Sequence, residues 1–155
     1  MALDISATGS VVTFTPVGGG KGFSVTHFSD DGTPFDAPNV TVSNNKRELN
    51  GLMISSRTPN VFQFSISVIP GSAEDDELWS IFKKSSIQPG KVAAVKDLLY
   101  NVTVAVPDIN RSGENPSRKF TYSSARMVDG PTGPSTSSEG RLAARTYMFE
   151  AEGLS

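Results

Sequence analysis

The chain has 155 residues with fourteen basic and sixteen acidic side chains, a formal charge of −2. That balance argues against a protein whose main work is gripping nucleic-acid phosphates, and the absence of cysteine excludes disulfides, thiolate chemistry and cysteine-ligated zinc. The length suits one domain that buries roughly two-thirds of its unfolded surface without a staple.

Taken in chain order, residues 1–10 are small and mixed and are expected to form a flexible N-terminal arm. Residues 11–17 predict a short strand, ended by Pro16 and the run Gly18, Gly19, Gly20. Residues 23–28 predict a second, with Phe23, Val25 and His27 on one face. The loop 29–38 holds Asp31-Gly32 and two prolines, which is turn chemistry. Val40 and Val42 mark a third strand, residues 44–50 a polar stretch, and Asn50-Gly51 a turn before residues 52–56.

Residues 61–87 hold the clearest strand and the one convincing helix. Phe62, Phe64, Ile66 and Val68 alternate with Gln63, Ser65 and Ser67, the period of a half-buried strand. Pro70 and Gly71 stop it, and Ser72 is placed to cap a helix at about 73–84. Glu74, Asp75, Asp76 and Glu77 suit the positive end of the helix dipole, and Lys83 and Lys84 the negative end. Leu78, Trp79, Ile81 and Phe82 form the apolar face that should lie on a β core.

After a break at Gln88-Pro89-Gly90, residues 98–106 predict a second strong strand. It sets Leu98, Tyr100, Val102, Val104 and Val106 on one face and Asn101, Thr103 and Ala105 on the other. Residues 108–117 are turn-rich and residues 120–128 alternate again. Residues 129–140 are a loop dense in Gly, Pro, Ser and Thr, long enough to be functional or mobile, and residues 141–152 close the chain as a strand. The expected fold class is mainly β: a small β-barrel or sandwich of two packed antiparallel sheets with one flanking α-helix, six to eight strands in a single domain.

Catalysis finds little support. His27 is the single histidine and has no serine and carboxylate near it in sequence, so a structural or surface role is the better account. Gly18 to Gly22 fails as a phosphate loop because Gly22 stands where Ser or Thr must reach magnesium. Asp108, Asn110, Ser112 and Gly113 match half of a calcium loop, yet Lys119 occupies the position of the bidentate glutamate. The expectation is therefore no catalytic residue, no metal and no cofactor. The acidic run is explained by dipole compensation on a solvated face. Arg118, Lys119, Arg126, Arg141 and Arg145 enrich the last third in positive charge, which fits salt bridges to a neighbouring subunit's acidic helix better than a nucleic-acid platform. No signal peptide and no run of ~18 apolar residues is visible, so the expectation is a soluble protein used without export.

The segments 67–84 (SVIPGSAEDDELWSIFKK), the turn Asn50-Gly51-Leu52 and the closing 140–152 (GRLAARTYMFEAE) together resemble the tail tube proteins of contractile bacteriophages, whose architecture is shared by type VI secretion and related injection machines. That resemblance spans most of the chain. It implies a tail-tube-like domain over residues 1–155 that assembles with itself into stacked homo-hexameric rings, the inner conduit for DNA in transit. It also implies sheath, baseplate and tail terminator partners, no membrane, a place in the virion tail and assembly in the bacterial host cytoplasm.

Under that reading, Gln63, Ser65 and Ser67 with Asn101, Thr103 and Ala105 would face the lumen, because small neutral side chains do not hold a passing polyanion. Asp30, Asp31, Phe35, Asn45, Lys46 and Arg47 would make contacts between rings. Open sheet edges would be satisfied by pairing between subunits. Two other classes remain open. One is a carbohydrate- or protein-binding β-sandwich using the loop 129–140 with Tyr122, Tyr147 or Trp79, and the other is a small-barrel enzyme.

Overall fold

In the computed structural model, residues 10–28, 35–57, 59–90, 92–107, 117–134, 136 and 140–155 are described. The elements follow in the order β1 (Val11–Pro16), β2 (Phe23–Val25), β3 (Phe35–Asp36), β4 (Ser43–Arg47), β5 (Met53–Arg57), β6 (Phe62–Val68), α1 (Ala73–Ser85), a 3-10 turn (Val95–Leu98), β7 (Tyr100–Pro107), β8 (Ser117–Asp129), β9 (Arg145–Ala151) and β10 (Gly153–Leu154). Eight strands form one antiparallel sheet in the order β2-β1-β7-β8-β9-β6-β3, with β10 added to β8, and β4 pairs with β5 alone.

Alternation decides which way each strand faces. Phe64, Ile66 and Val68 of β6, Val102 and Val104 of β7, and Tyr147, Phe149 and Ala151 of β9 are buried in one core with Val12, Phe14 and Val25. Aromatic rings show that the sheet curls onto itself. Phe14 of β1 meets Phe149 of β9 at 5.3 Å, and Phe64 of β6 meets Tyr122 of β8 at 4.6 Å, although neither pair lies on adjacent strands. The packed layers are thus two halves of one curled sheet. Among the described residues β2 and β3 do not pair, and the one bridge between the two margins is Phe28, just after β2, with Val68 of β6; the expected mainly-β sandwich with a flanking helix is therefore found, and a closed barrel is not.

Helix α1 forms where its caps predicted. The Ser72 hydroxyl accepts from the Asp75 N–H at 3.2 Å, satisfying a donor that the first turn leaves free. Leu78 and Ile81 join the core, while Trp79 and Phe82 are half-buried. One end of the helix is locked by a buried polar cluster. Asp75, only 5% exposed, accepts hydrogen bonds from the Tyr147 hydroxyl at 2.8 Å and the Gly71 N–H at 3.0 Å and pairs with the Arg145 Nε at 3.0 Å. The Arg145 guanidinium also covers the Trp79 ring at 4.9 Å. The acidic run is therefore not wholly solvated, and Arg145 pairs with the acidic helix of its own chain.

Elsewhere the structure departs from the expected elements. Residues 37–42, with Val40 and Val42, are irregular, and strand β4 forms instead from the polar stretch that followed them. Phe35 is a strand residue rather than a loop residue. Its ring stacks on Phe64 at 5.6 Å and contacts Tyr122, so that face is already used within the chain. Residues 26 and 27 lie outside any strand, and His27 is exposed. The arm 1–9, Asp30, Asp31, the half-matched calcium loop at 108–113 and residues 135 and 137–139 of the loop 129–140 lie outside the described residues.

Candidate functional site

Two surfaces stand out: the outward side of the curled sheet and the β4–β5 hairpin. On β7, Asn101, Thr103 and Ala105 point away from the core, as alternation requires. Register extends this row across the neighbouring strands. Thr13 pairs with Thr103 on one side and Ser24 on the other, and Thr103 pairs with Thr121. A cross-strand line of hydroxyls results, Ser24, Thr13, Thr103, Thr121, with Thr13 Oγ1 and Ser24 Oγ 3.3 Å apart. Thr15 beside Asn101 continues the wall at one end, and Val11, Ala105 and Lys119 at the other. Lys119 is the charged residue of these three rows, and it stands at their margin.

The β6 face is different. Gln63 Nε2 donates to Glu150 Oε1 at 2.8 Å, and the Ser67 hydroxyl bonds that of Thr146 at 2.9 Å. Glu150 pairs in turn with Arg126, and Asp36 pairs with Ser65. Two of the three polar positions expected on β6 are committed to β9, and charged residues flank them. Strands β6 and β7 have β8 and β9 between them in the curl, and both send apolar side chains into the same core. Their outward rows therefore diverge, and the wide uncharged wall belongs to β1, β2, β7 and β8.

The hairpin is built from weak strand formers yet is sharply defined. Ser43 pairs with Arg57, Asn45 with Ser55 and Arg47 with Met53. The turn closes with Gly51 at φ 89° and the Leu52 N–H donating to Asn50 Oδ1 at 3.1 Å, which is the service expected of Asn-Gly. Every residue from 44 to 57 is exposed. Leu52, Met53 and Ile54 are 63%, 66% and 52% exposed, alongside the cations Lys46, Arg47 and Arg57. A two-stranded ribbon is marginal in water by itself, so this one is suited to rest on another surface.

Near the helix start, His27 Nδ1 lies 2.9 Å from Glu74 Oε1, which also accepts the Thr26 hydroxyl at 3.3 Å. Partial burial pushes the Glu74 carboxyl up, but the hydrogen bonds from His27 and Thr26 outweigh it and leave the group below its ordinary value. Tyr147 is shifted far upward, first by burial and then by the Asp75 carboxylate that accepts a hydrogen bond from its hydroxyl. Among the described residues no group of three or more His, Asp or Glu side chains is arranged to hold a metal ion. Among the described residues, no helix is long and apolar enough to cross a membrane. The aromatic residues considered for a sugar site are otherwise engaged: Tyr122 and Tyr147 are buried in the core, and Trp79 lies stacked on Phe82 at 5.3 Å beneath Arg145.

The curled sheet with its flanking helix is shared with components of contractile injection systems. A chain in the extended sheath/tube terminator of the extracellular contractile injection system PVC matches with a TM-score of 0.61 at 14% identity, over 98% of this chain and 95% of that one. A chain of the PVC sheath-tube complex gives 0.60 at 15% identity over 98% and 90%, and one in the six-fold symmetrised baseplate of the anti-feeding prophage gives 0.58 at 12% over 100% and 96%. Identities this low establish the fold. Residues 3–155 match the family model described as tail fiber protein gp32, and the chain belongs to that family. By family it is therefore a tail protein, although the family description speaks of a fibre where the sequence resemblance pointed to a tube. None of the curated proteins compared matches the chain.

Proposed function

We propose that this chain is a tube-forming subunit of a contractile tail, without catalytic activity: copies close into six-membered rings, the rings stack, and DNA passes through the bore. The observation that carries this reading is the uncharged hydroxyl wall Ser24, Thr13, Thr103, Thr121, since a lining that neutralises no phosphates offers a polyanion no counterion-release affinity. On this reading the β7 row, Asn101, Thr103 and Ala105, faces the bore, and Gln63, Ser65 and Ser67 lie away from it. The exposed hairpin, with Asn45, Lys46 and Arg47, reaches from one ring to the next. Sheath, baseplate and terminator proteins meet the outside, and assembly takes place in the host cytoplasm before the tail enters the virion.

The full-length match in both directions to a sheath-tube component supports this role. The family description supports a second reading, a module of a tail fibre that contacts other tail or surface proteins. Cysteine labelling separates them, because the natural chain has none. With Thr103→Cys and Ser65→Cys made separately, ring or tube assemblies seen by negative stain should shield Thr103→Cys from a bulky thiol reagent, while free chains label fully. Chains that stay single at high concentration, or assemblies that shield only Ser65→Cys, would overturn the tube reading.

A further inference from the structure

The hairpin needs a receiving surface, and we infer that it is the cleft between β2 and the start of α1 on a second copy of this chain. This rests on the tube reading above and names the contact that reading leaves open. The cleft has a volume of about 560 Å³ and is lined by Lys21, Gly22, Phe23, Ser24, Ala73, Glu74 and Glu77, so it meets the hydroxyl wall at the Ser24 end, the edge of the sheet. Its apolar lining comes from Phe23, half-buried and stacked on Phe14, with the small residues Gly22 and Ala73, and the helix carboxylates Glu74 and Glu77 outnumber its one cation, Lys21.

Charge matches the two surfaces to each other. The hairpin sets the cations Lys46, Arg47 and Arg57 against one carboxylate, Glu48, and adds bare Leu52, Met53 and Ile54. In the cleft Glu74 is occupied by His27 and Thr26, whereas Glu77 is exposed and, among the described residues, in no ion pair of the chain; Asp76, next to it on the helix and outside the lining, is likewise exposed. Lys46 pairs across the ribbon with Ile54 on one face, and Arg47 with Met53 on the other, which also carries Arg57, so both faces join an apolar side chain to positive charge. A ribbon of that make-up fits a cleft with an apolar lining and a surplus of carboxylates. The groove at the other end of α1 does not suit it, because Lys84 and Arg126 line that groove and would repel the hairpin. A donor surface and a different acceptor surface on one chain give a head-to-tail contact, which closes as a ring or continues as a stack.

Charge reversal on full-length protein tests this. The hairpin variant carries Lys46→Glu with Arg47→Glu, and the cleft variant carries Asp76→Lys with Glu77→Lys. Each alone should lose stacked filaments in negative stain while single rings can persist, and mixing the two should restore the stacks, because every contact between unlike copies then joins opposite charges. Carbodiimide treatment of assembled natural protein, mixed from isotope-labelled and unlabelled chains, should join Lys46 of one chain to Asp76 or Glu77 of another. That readout does not depend on how the variants fold. If natural protein assembles but both variants assemble equally well and no such cross-link forms, this contact is wrong and the tube reading survives. If natural protein never assembles, both fall.

Discussion

Arg145 of β9 and Asp75 of α1 meet at 3.0 Å with little water around them, at 16% and 7% side-chain exposure, and this contact fastens the helix to the sheet. Two further donors, the Tyr147 hydroxyl and the Gly71 N–H, complete the carboxylate. Removing one partner of a buried pair strands the other charge, so Asp75→Ala should cost ~3–5 kcal/mol. Tyr147→Phe deletes one hydrogen bond to a charged group and should cost ~1.5–3 kcal/mol. Urea unfolding measures both, and a loss below that of Tyr147→Phe for Asp75→Ala would show that the cluster does not hold the helix.

Close approach sets a second prediction. A Cβ on Gly130 would stand 2.5 Å from the Phe82 ring, nearer than carbon atoms tolerate, so the glycine lets the chain after β8 pass over the helix. Gly130→Ala must push Phe82 off its rotamer and should cost ~1–3 kcal/mol by overpacking. Gly130→Ala with Phe82→Leu, which makes room, should recover part of that in thermal melts.

The third concerns the bulge in β8. Between its pairs with Tyr100 and Val102, β8 spends two residues, Ser123 and Ser124, against Asn101 alone. Ser124 takes φ 51°, the left-handed region, and its N–H is held by Asn101 Oδ1 at 3.2 Å. Ser124→Gly should be neutral or stabilising by up to ~1 kcal/mol, and Ser124→Val should destabilise by more than that, because any Cβ is strained in the left-handed region and a β-branched side chain most of all. Asn101→Ala should be destabilising, with calorimetry as the check.

Acid sensitivity follows from Glu74. Its carboxyl lies below the ordinary value of 4.5 in the folded chain, so the stability it contributes is complete above that pH and is lost as the pH falls through the lower, folded value. His27→Ala removes one cause of the lowering. The urea midpoint of this variant should therefore fall less than that of the natural protein between about pH 5 and 3. Parallel curves would mean that the pair contributes nothing.

Local patterns carried much of this architecture and long-range ones did not. The alternation of Phe62, Phe64, Ile66 and Val68, the Ser72 cap and the Asn50-Gly51 turn are decided by neighbours in sequence, and each was legible. The commitment of Asp75 to Arg145 was not, because an acidic run at a helix start has the same composition whether solvated or buried, and the two residues are far apart in the chain. The bulge at Ser124 shifts the facing of β8 by one place, so Tyr122 is followed into the core by Ala125 and Met127, which a strict period of two does not foresee. Thr103 could be recognised as an outward neutral residue. Its partners Thr13 and Thr121 required the strand order, and the bonds of Gln63 to Glu150 and Ser67 to Thr146 required the register of β6 on β9.

The hairpin and the cleft are unlike surfaces of one chain. Any array joined through them has a direction: one terminus offers bare cationic ribbons and the other vacant acidic slots. Whatever starts such an array must present slots or ribbons of its own, and whatever stops it must present the opposite kind, so initiation and termination call for two chemically distinct caps.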